Sequence, residues 1–183
     1  MTVSDVMIMA AVQLGIGDKV KAYVNGTSSL YKAQGDLLLQ CFNLVENELA
    51  LDYIPLMKQE ILAVSDGKIS YDAFTSDVVR IVKVVDEHGE SVPFKLFAAY
   101  MEVDAERVSV TYAYTPKPKT VTEESDFQAF VSERLFSYGM AAEYCMATGL
   151  YEEAVVWDKK YKEGIEAARR LARGGKIASR RWA

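Results

Sequence analysis

His88 is the only histidine in the chain, so any Ser-His-Asp relay or histidine-ligated metal centre would have to be built around it. It stands in Asp86-Glu87-His88-Gly89, a turn sequence between two β-branched runs, where an imidazole is expected to face solvent. The two cysteines, Cys41 and Cys145, each fall on the apolar side of a predicted helix. They read as buried, reduced thiols, and the sequence leaves open whether they meet. Carboxylates occur in pairs at Glu46 and Glu48, Glu123 and Glu124, and Glu152 and Glu153. Acid–base catalysis by two carboxylates needs side chains that converge in a cleft. Near neighbours on a helix diverge, so these pairs are expected on solvated faces or at helix starts. No CxxC, HExxH, GxSxG, P-loop or GxGxxG is present. The chain therefore reads as a non-enzyme, with no catalytic, cofactor-binding or metal-binding residues and no cofactor.

Two features point to contacts with other proteins instead. Tyr138, Tyr144, Tyr151, Trp157 and Tyr161 cluster near the C-terminal end, where they can pack a helical hairpin or anchor an interface. From Ala167 to Ala183 there are six basic residues (Arg169, Arg170, Arg173, Lys176, Arg180 and Arg181) and no acid. Of the 21 basic residues this leaves 15 against 26 acidic ones elsewhere, a net charge of −11 outside that stretch. The whole chain carries −5, which disfavours general nucleic-acid binding, while its basic end suits an acidic surface or a phosphate. Arg169, Arg170 and Arg173 can complement a helix C-terminus, but Arg180, Arg181 and Trp182 lie beyond Gly174-Gly175. Arg173, Lys176, Ile177, Arg180, Arg181 and Trp182 together read as a Gly-hinged docking peptide, with the tryptophan as its anchor.

The elements that carry these residues follow from periodicity. Val3 to Leu14 is a predicted helix, capped by Thr2 or Ser4 and ended by Gly15 and Gly17, and a short helix follows over Asp18 to Val24. Leu30 to Tyr53 is predicted as one helix with a stripe of Leu30, Leu37, Leu38, Cys41, Leu44, Val45 and Leu49, stopped by Pro55. The period then changes. Ile61 to Val64 and Ile69 to Tyr71 flank an Asp66-Gly67 turn and are expected to form a hairpin. Val78 to Val85 is expected to return through Val92 to Phe97, and Tyr100 to Val103 to pair with Arg107 to Tyr114, in which Val108, Val110, Tyr112 and Tyr114 point one way and Ser109, Thr111 and Ala113 the other. Ser125 and Gln128 have capping-box spacing and start a predicted helix with Phe127, Phe130, Val131, Leu135, Tyr138, Ala142 and Cys145 on one face. After Gly149, the seam Leu150, Ala154, Trp157, Tyr161, Ile165, Ala168 and Leu171 implies an antiparallel helical hairpin.

The fold class is thus α+β: a helical bundle with an inserted antiparallel β meander. One domain is expected, helical over 1–57 and 120–174, with the β insertion at about 58–116 and a docking tail at 175–183. No apolar run is long enough for a transmembrane helix, and Asp5 stands where an export signal would be basic, so neither a membrane nor export is expected.

The chain resembles the head–tail adaptor (connector, or neck) proteins of tailed bacteriophages from about Leu30 onward. The residues that carry the likeness are Leu44 to Ala50 with Asp52 to Leu56, Arg80 to Val84, and Val110 to Pro116. Tyr138 to Tyr144, Glu153 to Asp158 with Tyr161, and Ile177 to Trp182 complete it. The resemblance implies a virion structural protein of the neck, assembled in the host cytoplasm. It implies a cyclic ring of about twelve copies, a dodecamer, between the portal protein and the downstream tail or nozzle proteins. DNA would pass through its channel without specific binding, and the C-terminal arm would reach the portal. Other readings remain open from the residues themselves: another neck or tail-completion protein, a non-viral module whose basic end binds phosphate, or an enzyme with an unrecognised site.

Overall fold

The computed structural model describes residues 1–172 and divides them into two compact units. One unit comprises Met1–Glu48 and the chain from Pro118 onward, and the other comprises Leu49–Lys117. The fold is α+β, with five α-helices and six antiparallel strands among the described residues. No described helix is long and apolar enough to cross a membrane.

The helical unit begins with α1 (Val3–Gln13), capped by Thr2, whose hydroxyl accepts the Asp5 N–H at 3.2 Å. Asp5 sits in the first turn, where its charge suits the helix dipole. Helix α2 (Gly17–Val24) follows, then α3 (Lys32–Glu48). Gly35 lets α2 and α3 approach closely: a Cβ there would lie 2.3 Å from the Tyr23 ring.

The predicted stripe of α3 needs correction. Leu30 lies before the helix and Leu44 on its outer side, and both are exposed. Leu44 is roughly 240° around the helix from Leu38 at 100° per residue, whereas Phe42 and Val45 fall on the same side as Leu38. The buried face is Leu38, Cys41, Phe42, Val45 and, unexpectedly, Glu46. Phe42 stacks on Phe136 of the following helix with ring centroids 5.1 Å apart, a contact of about 1 kcal/mol beyond simple burial.

Helix α4 (Glu133–Thr148) starts seven residues later than the Ser125–Gln128 spacing suggested, with its cap at Ser132 rather than Ser125. The Ser132 hydroxyl accepts the Leu135 N–H at 3.2 Å. Ser125 is committed elsewhere, and Gln128 donates its side-chain amide to the Ser125 carbonyl rather than closing a capping box. Gly149, at φ +80°, ends α4 in a left-handed cap, and the Leu150 N–H bonds Cys145 O at 2.8 Å. Helix α5 (Tyr151–Ala172) then packs against α4 as the expected antiparallel hairpin. Its central seam residues Ala154, Tyr161, Ile165 and Ala168 are buried, while Leu150 and Leu171 at the two ends are exposed.

The β unit opens on a π-helical turn, Leu49–Tyr53, where the last turns of the predicted Leu30–Tyr53 helix were expected. Ile54 N–H bonds Leu49 O at 2.7 Å across it, and Pro55 then ends helical structure. Six strands follow: β1 (Leu56–Ala63), β2 (Lys68–Ser70), β3 (Val78–Val85), β4 (Phe94–Leu96), β5 (Tyr100–Val103) and β6 (Arg107–Tyr114). They form two three-stranded sheets, ordered β1-β6-β3 and β2-β5-β4.

The local pairing expected from sequence is corrected in three places. The Asp66-Gly67 turn exists, with both residues at positive φ and a bridge between Ser65 and Lys68. Beyond it the strands part: β1 pairs with β6, and β2 with β5. The return of β3 into β4 is the second correction: a Val85–Ser91 bridge closes the turn, but β3 pairs with β6 and β4 with β5. Likewise β5 and β6, although adjacent in sequence, belong to different sheets. Both sheets share one core of Ile69, Phe74, Ile81, Val84, Met101, Val103, Val108, Val110 and Tyr112. The inward alternation of Val108, Val110 and Tyr112 along β6 is as the sequence implied.

Candidate assembly surfaces

The residues with chemical potential do not converge. His88 is exposed in its turn, which Asp86 closes by accepting the His88 and Glu90 N–H groups, each at 2.9 Å. Cys41 and Cys145 are buried and free. Burial, reinforced by the charge of Glu143, pushes the Cys41 thiol up to about 12, so it carries no thiolate at neutral pH. Among the described residues no three His, Cys, Asp or Glu side chains are grouped to hold a metal ion.

The carboxylate pairs separate as expected in two cases. Glu152 and Glu153 are exposed in the first turn of α5. Glu123 accepts the Thr120 N–H at 2.6 Å in a local turn, which holds its carboxyl below the ordinary range. Glu46 departs from the expectation of a solvated face. It is only 1% exposed, and its Oε1 accepts the Ser125 hydroxyl at 2.7 Å and the Asp126 N–H at 2.9 Å. Burial raises its pKa, and those two hydrogen bonds only partly oppose the effect. Glu48, two residues on, accepts the Tyr161 hydroxyl at 3.1 Å.

Glu46 belongs to a clasp that sequence reasoning missed. One turn earlier on α3, Asn43 accepts the Lys119 N–H at 2.6 Å and donates to the Lys119 carbonyl at 3.1 Å. Lys119 pairs with Asp126 at 2.6 Å. Val3 N–H bonds Glu123 O at 3.0 Å, and Ser125 N–H bonds Met1 O at 3.1 Å. The segment before α4 is thus strapped to α3 and to the chain's first residues. The available signal was positional: Glu46 falls at helical spacing among Phe42, Val45 and Leu49.

The β unit holds a second clasp. Glu60, on the inner side of β1, accepts the Tyr112 hydroxyl at 2.7 Å, the Thr75 N–H at 3.2 Å and the Thr75 hydroxyl. Lys58 lies 3.2 Å from the same carboxylate. Burial would raise the Glu60 pKa, but the bonds from Thr75, Tyr112 and Lys58 outweigh it and hold the group at about 2. Inner positions of β1 thus carry Lys58 and Glu60, while Met57 and Ile61 are exposed on the other side. Val79 and Val82, at the two register irregularities of β3, are exposed as well.

The remaining surface of note is the α4–α5 hairpin. At its tip Met146, Leu150, Tyr151 and Val155 are exposed beside Glu152 and Glu153. At its base a groove of about 590 Å³ runs between the start of α4 and the last turns of α5, lined by Phe130, Arg134, Tyr138, Lys160 and Leu171 among others. Arg134 donates its Nε–H to the Tyr138 hydroxyl at 2.6 Å, and Lys160 sits 4.2 Å from the centre of the Trp157 ring. Phe130 was expected on the buried face of α4. It is instead 57% exposed, because it precedes the helix and has φ +67°. The docking residues Arg173, Lys176, Ile177, Arg180, Arg181 and Trp182 lie outside the described residues.

No protein-family model matches the chain, and no curated protein matches it.

Proposed function

We propose that the chain is a ring-forming structural subunit, a head–tail adaptor that joins a portal to a tail and continues the DNA channel. The observation that carries the reading is the order of its parts. A helical unit is interrupted once, between α3 and α4, by a single antiparallel β unit, the order that the adaptor resemblance implies. The exposed apolar positions on α4, α5, β1 and β3 are in keeping with a subunit made to be covered by neighbours. The acidic body, net −11 outside the last seventeen residues, suits a channel along which DNA slides without sticking.

The C-terminal residues 173–183 serve in this reading as the portal-docking element, with Trp182 as anchor and Arg180 and Arg181 as partners for portal carboxylates. Imaging of the full chain with and without its portal tests the function: rings on the portal are expected, and chains that stay monomeric beside it would end the reading. Deleting Lys176 to Ala183 should weaken attachment while leaving the melting temperature unchanged. Attachment equal to that of the full chain would remove the docking role but leave the ring.

A further inference from the structure

The α4–α5 hairpin has two unlike ends. Its tip exposes apolar side chains among acids: from Glu143 to Val156 there are three carboxylates and no basic residue. Tyr151, 64% exposed, and Val155 lie one turn apart on α5 and form a continuous apolar strip. The base reverses the charge. From Lys159 to Ala172 there are five basic residues and two acids, with Lys162 paired to Asp158 and Arg169 to Glu166. The groove itself is lined by the cations Arg134 and Lys160 and the acid Glu163. The groove offers apolar surface as well, from Phe130 and from Leu171, which is 67% exposed.

Phe130 is the odd residue in this groove. A bulky side chain at positive φ is strained, on the order of 1 kcal/mol or more, and such strain persists where something else requires it. Burial does not require it, because the neighbouring Phe127 fills the core against Phe136 while Phe130 faces out. Glycine or asparagine would hold the same turn without strain. The phenyl ring is therefore held in the open groove at a conformational cost.

We infer that these two ends are complementary halves of one head-to-tail contact between copies of this chain: the acidic apolar tip of one copy seats in the basic apolar groove of the next. The inference deepens the ring reading by naming its interface. The two halves lie toward opposite ends of the hairpin, with Tyr151 and Leu171 about 30 Å apart along α5, so the tip of one chain does not reach its own groove. Neither half complements itself, so the contact is heterologous and repeats around a ring or along a filament. Opposite charges orient the encounter, and the aromatic side chains supply the desolvated centre.

The test uses two variants of the full chain, one in each half. The tip variant is Tyr151→Ser with Glu152→Lys, and the base variant is Phe130→Asn with Lys160→Glu. All four positions are exposed. Circular dichroism and melting curves should match the parent, and Phe130→Asn alone should melt no lower because it relieves the backbone. Sedimentation velocity should show each variant associating about thirty-fold more weakly than the parent, the effect of removing an aromatic anchor. A one-to-one mixture should form a dimer and stop there, because one intact tip meets one intact groove. Parent-like oligomers from either variant, or a mixture that stays monomeric, would overturn the inference, as would a parent chain that is monomeric at its highest soluble concentration. Rings that both variants still form on the portal would leave the adaptor reading standing and this interface wrong. Parent chains that stay monomeric on the portal would remove the adaptor reading itself.

Discussion

Two internal carboxylates do the same mechanical task in the two units by opposite physical means. In the helical unit Glu46 anchors the strap before α4 to α3, from a site so dry that burial raises its pKa. In the β unit Glu60 anchors Thr75 to β1, from a site so rich in donors that its pKa falls to about 2. The difference lies in the partners. Glu46 receives a hydroxyl and one amide, with Lys119 acting on it only as a nearby charge. Glu60 receives Thr75 twice, Tyr112 and a lysine. A buried carboxylate is thus not one kind of group. The number of donors aimed at it decides whether its charge is tolerated or favoured.

The largest effect expected is from Glu46→Ala, which leaves the Ser125 hydroxyl and the Asp126 N–H without their buried acceptor. A loss of about 3 kcal/mol in urea unfolding is expected, with release of the strap seen as faster amide exchange near Ser125. A loss well under 1 kcal/mol would mean that the strap is held by Asn43 and the chain's first residues alone. Glu60→Gln keeps shape and one acceptor oxygen, and part of the site is open to water. Its expected cost is smaller, about 1 kcal/mol. Equal costs would erase the contrast between the two clasps.

The pH dependence sharpens it further, because the signs are opposite. For Glu60 the folded pKa lies below the unfolded one, so between about 2 and the ordinary carboxylate value the unfolded chain binds more protons. Its contribution is present above that window and lost as pH falls through it. For Glu46 the folded pKa is raised, so above the ordinary carboxylate value the folded chain holds the proton longer. Its contribution is full at low pH and declines as pH rises through the raised value. Stability measured against pH in Glu60→Gln should lose part of the acid limb, and in Glu46→Gln part of the decline on the alkaline side. Identical profiles for the two variants would contradict the assignment. The smallest effect concerns Cys41: its buried thiol should resist alkylation in the native protein and react on unfolding, and native labelling as fast as a free thiol would show the α3 face to be open.

Much of this arrangement was legible in the sequence where a single period governed it. The α4–α5 seam, the β6 alternation and the Gly149 cap each depend on local spacing, and they appear where spacing put them. The capping box at Ser125 was misread because a hydroxyl suited to an N-cap suits Glu46 equally well, and that partner is 79 residues away. Strand pairing was misread because an Asp-Gly turn reports the bend and not which strands continue as neighbours. The outer face of β1 misleads for another reason: Met57 and Ile61 carry the pattern of a buried side, while Lys58 and Glu60 turn inward to reach Thr75, Ser76 and Tyr112. Phe130 was misplaced on a buried helix face because its positive-φ backbone conformation has no signature in residue type.

The proposal that this chain assembles in a closed ring on a portal is addressed most directly by native mass spectrometry of the full chain with the portal. The account predicts one dominant species whose added mass is a single fixed multiple of 20.4 kDa. Portal with no added subunits, or a ladder of stoichiometries with none preferred, would contradict it.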